Sequence, residues 1–158
     1  MQLPHGQVMW PAFWMLGANC IDNGGDTEWP QCGEIDIMEL YGTKSDAVAE
    51  ANIHFAGLDG NHQQMGAIPF MLSKGKFADA FHVFEIEWDE RQIAWKIDGQ
   101  VYATANIASE DKSEFHRPFF ILLNIAVGGS WAGRPDASTQ FPQFMYVDWV
   151  RVYQRKNS

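Results

Sequence analysis

Residues 33–39 read Gly-Glu-Ile-Asp-Ile-Met-Glu, three carboxylates within six positions, separated by large apolar side chains. A strand turns every second side chain to the same face, so Glu34 and Asp36 point one way and Ile35 and Ile37 the other. Such a strand needs an apolar layer beneath it, and its acidic face needs a reason to exist. In strict alternation Glu39 falls on the face opposite Glu34. One extra residue, a β-bulge near Ile37 or Met38, would bring it back, and bulges are common beside active sites. Three acids would then line one face of one strand. A solvated edge strand can also carry carboxylates. Here Trp29 and Pro30 lie just upstream and Tyr41 just downstream, which favours a site. Two carboxylates roughly 5–5.5 Å apart suit a retaining glycosidase, one as nucleophile and one as acid/base.

The rest of the chain is punctuated by turns and offers no convincing long amphipathic helix, which predicts an all-β sandwich in one domain over residues 1–158. Residues 8–16 read as a strand with an edge or a bend at Pro11. Residues 18–31 read as a loop flanked by Cys20 and Cys32, the only two cysteines. Closing that loop with a disulfide would contribute about 3 kcal/mol; two free thiols are the alternative. A strand is expected over 47–55, where Glu50, Asn52 and His54 share a face, and a loop over 57–75. Residues 81–88, 92–97 and 101–104 form a three-strand meander, with Asp98-Gly99 as a type I′ hairpin turn. Glu85 and Glu87 in that meander read as structural or solvent-facing. Residues 106–114 are polar, with a short helical turn. Residues 118–127 and 145–153 are further strands.

Composition narrows the partner. Acidic residues outnumber basic ones by 20 to 11, which argues against a phosphate backbone and suits a neutral polymer. Aromatics make up 14% of the chain, with seven Trp; sugar rings present C–H faces that stack on indoles, and core packing is expected to claim at least half of the seven. No run of apolar residues is long enough for a membrane span, and no basic region followed by an apolar run marks a signal peptide.

The stretch Glu34-Ile-Asp-Ile-Met-Glu39 resembles the E-x-D-x-x-E signature of glycoside hydrolase family 16, in the bulged form of its laminarinase-like endo-β-1,3-glucanases. Leu3-Pro4 through Trp10-Pro-Ala-Phe-Trp-Met-Leu-Gly17, Leu123-Asn-Ile-Ala-Val-Gly-Gly129 with Trp131, and Val147-Asp-Trp-Val-Arg-Val-Tyr153 resemble the same family in the same order. The resemblance implies a concanavalin A-like β-jelly roll of two curved antiparallel sheets. It further implies an extracellular or periplasmic protein. Family domains carry several strands ahead of the Trp-Pro-Ala-Phe-Trp segment. The chain therefore looks like the C-terminal two-thirds of such a domain, with self-association as one way to cover the missing strands.

The resemblance also implies roles. Glu34 would be the nucleophile, Glu39 the acid/base, and Asp36 would orient Glu34. Trp10, Trp14, Trp29, His54, Asn124 and Trp131 are the candidate substrate contacts. Core packing is the rival role for Trp10 and Trp14, and a satisfied structural histidine for His54. The strand carrying Asn124 would lie beside the catalytic strand, and its amide would be buried. The chemistry requires no cofactor. Asp148 is a candidate ligand for a structural Ca²⁺, which wants six to eight oxygens; an ion pair with Arg151 is the rival reading. The expected activity is endo-acting, retaining hydrolysis of β-1,3-glucan, with mixed-linkage β-1,3-1,4-glucan as a further substrate. A non-catalytic β-glucan-binding protein on the same fold is the alternative. No nucleic acid and no membrane enter either reading.

Overall fold

The computed structural model describes residues 1–154. Nine strands are assigned among them: β1 Met9–Gly17, β2 Glu34–Glu39, β3 Val48–Ala56, β4 His62–Gln64, β5 Ile68–Met71, β6 Phe84–Trp88, β7 Gln92–Ile97, β8 Gln100–Asn106 and β9 Phe119–Val127. Two short 3-10 turns, Ile21–Asn23 and Glu110–His116, interrupt them. The strands form two antiparallel sheets, the jelly-roll sandwich the sequence predicts. The larger runs β4-β3-β2-β1-β9, with β5 also paired to β3, and the smaller runs β6-β7-β8.

One core holds the two sheets together. Ile35, Met38 and Ile53 from the large sheet meet Ile93, Trp95 and Ile97 from the small one, all within 1% of complete burial. Trp95 is the anchor. Its ring fills the interface, and its Nε1 donates to the backbone oxygen of Asp36 at 2.8 Å. A buried indole N–H needs such a partner, and this bond fixes β2 from beneath. Only Trp95 of the seven tryptophans is fully buried, so core packing claims fewer of them than the sequence suggests.

The meander over β6, β7 and β8 is as expected. Asp98 and Gly99 both have positive φ, 51° and 79°, as a type I′ turn requires. Lys96 Nζ bridges Glu85 Oε1 at 3.2 Å and Glu87 Oε1, so that carboxylate pair is a surface ion-pair cluster. The sulfurs of Cys20 and Cys32 are bonded, with Cα atoms 5.1 Å apart. Cys32→Ser is therefore expected to destabilise the fold by about 3 kcal/mol. Urea unfolding checks this, and an unchanged midpoint would remove the bridge from the account.

Four expectations need correction. Pro11 sits at neither an edge nor a bend: β1 lies between β2 and β9, and Pro11 pairs with Ile125. Its missing N–H is tolerated because Pro11 lies past the last β1–β2 pair, Ala12 with Glu39, where its carbonyl still accepts from Leu40 N at 3.2 Å. The loop over 57–75 contains β4 and β5, which take successive stretches of the outer side of β3. The strand expected over 145–153 is not formed. Tyr146 bridges Gln2, but no neighbour supplies a ladder to the following residues, and Trp149, Val150, Val152 and Tyr153 are exposed. Lastly, β9 lies beside β1, one strand removed from β2.

Candidate active site

The large sheet has one face on the core and one open, and the register places the acidic residues on the open face. On β2, Asp36 pairs with Asn52 and Glu39 with Glu50, with two residues between them on β2 against one on β3. The same slip appears against β1, where Phe13 pairs with Met38 and Trp14 with Asp36. One extra residue in β2 is thus accommodated at Ile37. This bulge turns Glu39 to the side of Glu34 and Asp36, while Ile35, Ile37 and Met38 remain buried. Cross-strand partners share a face. Glu34 faces Leu16 and His54, Asp36 faces Trp14 and Asn52, and Glu39 faces Ala12 and Glu50.

Two indoles hold the outer carboxylates. Trp29 Nε1 donates to Glu34 Oε2 at 2.7 Å, and Trp10 Nε1 donates to Glu39 Oε1 at 2.9 Å. Tyr41 packs against Trp10 with ring centroids 5.1 Å apart, and its hydroxyl also hydrogen-bonds Glu39. Trp29 is 43% exposed and so keeps a free ring surface at the site's edge. Trp14 Nε1 donates to Asn124 Oδ1 at 2.7 Å.

On the β3 side a polar chain fixes the histidine. Asn52 Oδ1 accepts from Ile53 N at 3.0 Å. Its amide nitrogen therefore faces Gln64 Oε1 at 3.0 Å and His54 Nε2 at 3.1 Å. That network assigns Nε2 as the acceptor and places the ring proton on Nδ1, which donates to His62 Nε2 at 2.8 Å. His62 stacks on His54 and packs on Trp29, with centroids 5.1 and 4.7 Å apart. His54 Nε2 lies 3.3 Å from Asp36 Oδ2 and 3.9 Å from Glu34 Oε1. Asp36 Oδ2 is buried and receives no hydrogen bond from a donor.

Burial sets the protonation of the acids. Desolvation, and then the Asp36 charge, push Glu34 up to about 8 against the Trp29 and His54 contributions that lower it. Asp36 is the most buried and is raised by desolvation and by Glu39. Glu39 is raised by desolvation, which outweighs the Trp10 and Tyr41 hydrogen bonds. Clustered like charges cannot all ionise, so the site retains protons near neutrality. A proton is held between Glu34 and Asp36, while Asp36 Oδ2, on the His54 side, receives no hydrogen bond.

The structure thus gathers Glu34, Asp36, Glu39, Trp10, Trp14, Trp29, His54 and Asn124 on or beside one face. Asn124 is exposed rather than buried, because β9 is the last strand of its sheet. Trp131 is 66% exposed. Its loop begins against the Trp10 ring, 3.5 Å from where a side chain at Gly129 would lie, and no described contact joins Trp131 to the acids. Around Asp148, no group of three His, Cys, Asp or Glu side chains forms among the described residues. Arg151 stacks over Trp149 at 4.5 Å rather than pairing with Asp148. The Met1 ammonium lies within the field of both Asp98 and Asp148, so a cation there would compete with the chain's own positive charge. His62 and Gln64 were not singled out from the sequence, and Tyr41 was noted only as a flank of the acidic strand. The continuous polar run Asn61-His62-Gln63-Gln64 was the available signal for the first two.

Residues 1–151 match the family described as glycosyl hydrolases family 16. The chain belongs to that family. It is 36% identical to a beta-glucanase of Rhodothermus marinus over 97% of this chain and 54% of that protein. It is 34% identical to glucan endo-1,3-beta-glucosidase A1 of Niallia circulans over 98% of this chain and 23% of that protein. The laminarinase catalytic domain of Thermotoga maritima MSB8 superposes with a TM-score of 0.75 at 40% identity, covering 90% of this chain and 56% of that domain. The chain therefore spans about half the length of the Rhodothermus protein and of the Thermotoga domain. Among the described residues no helix is long and apolar enough to cross a membrane.

Proposed function

We propose that this chain carries the catalytic strand of an endo-acting β-glucanase that cleaves β-1,3-glucan by a retaining double displacement outside the cell. The observation that carries this reading is the bulge in β2. It sets Glu34, Asp36 and Glu39 on one open face, each outer acid held by a tryptophan N–H. The names of the relatives support the β-glucan class.

In the first step a Glu34 oxygen attacks the anomeric carbon, and the bond from that carbon to the glycosidic oxygen breaks. Glu39 gives its proton to the departing oxygen. Trp10 donates to Glu39 Oε1, and the Tyr41 hydroxyl is a second hydrogen-bond partner that orients the carboxyl. Glu34 must be ionised to attack. Asp36, the more deeply buried of the two, takes up the shared proton and donates it to Glu34 as a hydrogen bond. In the second step Glu39, now a carboxylate, takes a proton from water. The water oxygen bonds to the anomeric carbon, and the ester to Glu34 breaks. Two inversions give net retention. Trp29, Trp14 and Trp10 offer indole surface for sugar rings along the same face.

Reducing-end release from laminarin, with lichenan alongside, tests this reading. A ladder of oligosaccharides, with laminarin the faster substrate, is the expected result. Folded protein that binds laminarin without releasing reducing ends would instead favour a binding module.

The acid limb of the kcat/KM profile should report the Glu34–Asp36 pair as a unit. It is expected well above the ordinary glutamate value of 4.5, because burial and the neighbouring charge both raise Glu34. Asp36→Asn removes that charge and should move the limb to lower pH. An unmoved limb would detach Asp36 from the titration.

A further inference from the structure

The side chains of Glu34, Asp36 and His54 converge more closely than a sugar-binding face requires. One ligand atom from each lies within 4.8 Å of the others. In a tetrahedral zinc site, with bonds of about 2.0–2.2 Å, neighbouring ligand atoms are about 3.4 Å apart. His54 Nε2 and Asp36 Oδ2 are already at 3.3 Å, and His54 Nε2 and Glu34 Oε1 at 3.9 Å. The two carboxylate oxygens, which lie within 4.8 Å of each other, would have to draw together around the ion.

Three further observations point to a cation. Asp36 is 2% exposed, and its Oδ2 receives no hydrogen bond while facing the group. The hydrogen-bond network holds His54 with Nδ1 protonated and Nε2 bearing its lone pair, so the nitrogen that faces the carboxylates is the one able to ligate. Nδ1 donates to His62, the kind of outer contact that orients a metal-bound imidazole. The side chains of Glu34 and His54 remain 18% and 16% exposed, which leaves a path from solvent and room for a water as fourth ligand.

We propose that Glu34, Asp36 and His54 form a binding site for a divalent transition-metal ion, best matched by Zn²⁺, with His62 as its outer support. One imidazole and two carboxylates suit Zn²⁺ rather than Ca²⁺ or Mg²⁺, which take six or more oxygens. Asn52 gives up its contact with Nε2 and keeps Gln64. The metal site does not depend on hydrolysis. That Zn²⁺ would block turnover by occupying Glu34 rests on the proposed function above.

The test is metal binding by the whole chain, read without any activity. After chelator treatment and desalting, Zn²⁺ is titrated calorimetrically, and Co²⁺ is followed by its visible absorption. One ion per chain is expected, with the intense bands of tetrahedral Co²⁺. His54→Ala, Asp36→Asn and Glu34→Gln should each weaken binding at least 100-fold, and His62→Ala roughly 10-fold. His54→Gln replaces His54→Ala if circular dichroism shows the latter unfolded. No binding at millimolar Zn²⁺ would overturn the proposal. So would binding that persists in the His54 or Asp36 variants, which would place the ion elsewhere. A chain that binds Zn²⁺ but releases no sugar from laminarin would uphold this site and count only against the hydrolase reading.

Discussion

Glu34→Gln is expected to lower laminarin turnover by on the order of 10⁴-fold or more, the scale seen when a nucleophile is removed from a catalytic group. Glutamine keeps the size of the side chain and can still accept from Trp29 Nε1, so the indole contact at 2.7 Å need not be lost. What disappears is the oxygen that forms the glycosyl ester. Folding should survive, because Glu34 lies on the open face and the core beneath β2 is built from Ile35, Ile37 and Met38. Initial rates on laminarin, beside circular dichroism of both proteins, check this. A variant that keeps more than a few per cent of the wild-type rate would remove Glu34 from the nucleophile's role.

The same substitution is expected to stabilise the protein at alkaline pH. Glu34 is raised from 4.5 to about 8 in the fold, chiefly by burial. Between those values the folded chain holds a proton that the unfolded chain has released. Stability therefore falls as pH rises through that window, and the loss is complete above it. Because the proton is shared with Asp36, the size of that loss belongs to the pair rather than to Glu34 alone. Glutamine cannot ionise, so the variant escapes the share of the loss that Glu34 contributes. Urea unfolding in EDTA at pH 4 and pH 8.5 should show the two proteins nearly equal at the lower pH and the variant clearly more stable at the higher one. A difference that is the same at both would contradict a proton shared between Glu34 and Asp36 in the fold.

These two effects have one origin. A site that assembles three acids in a poorly solvated place gives up stability for reactivity, and the sequence already carries the signs of both. The alternation across residues 34–39, with the need to return Glu39 to the acidic face, was enough to locate the bulge. The Asp98-Gly99 turn and the meander around it followed from local preferences alone. Other features depended on partners that local sequence does not name. β4 and β5 are three and four residues long and exist because the outer side of β3 was free to pair. Residues 147–153 alternate like a strand, yet no ladder forms without a neighbour. Asn124 reads as buried in an apolar run, but its strand ends the sheet and its amide meets Trp14 in solvent's reach. Pro11 marks an edge in most strands; here it lies just beyond the ladder it would have broken. The contribution of His62 was the least legible, because it reaches the site only through His54 and Trp29.

The most direct test of the account is covalent trapping of the nucleophile. The chain is incubated with an activated 2-deoxy-2-fluoro β-glucoside or β-1,3-glucobioside, digested and mapped by mass spectrometry. The account predicts one fluorosugar per chain, attached at Glu34 and absent from Glu34→Gln. A label on Glu39, Asp36 or any residue outside β2 would contradict it.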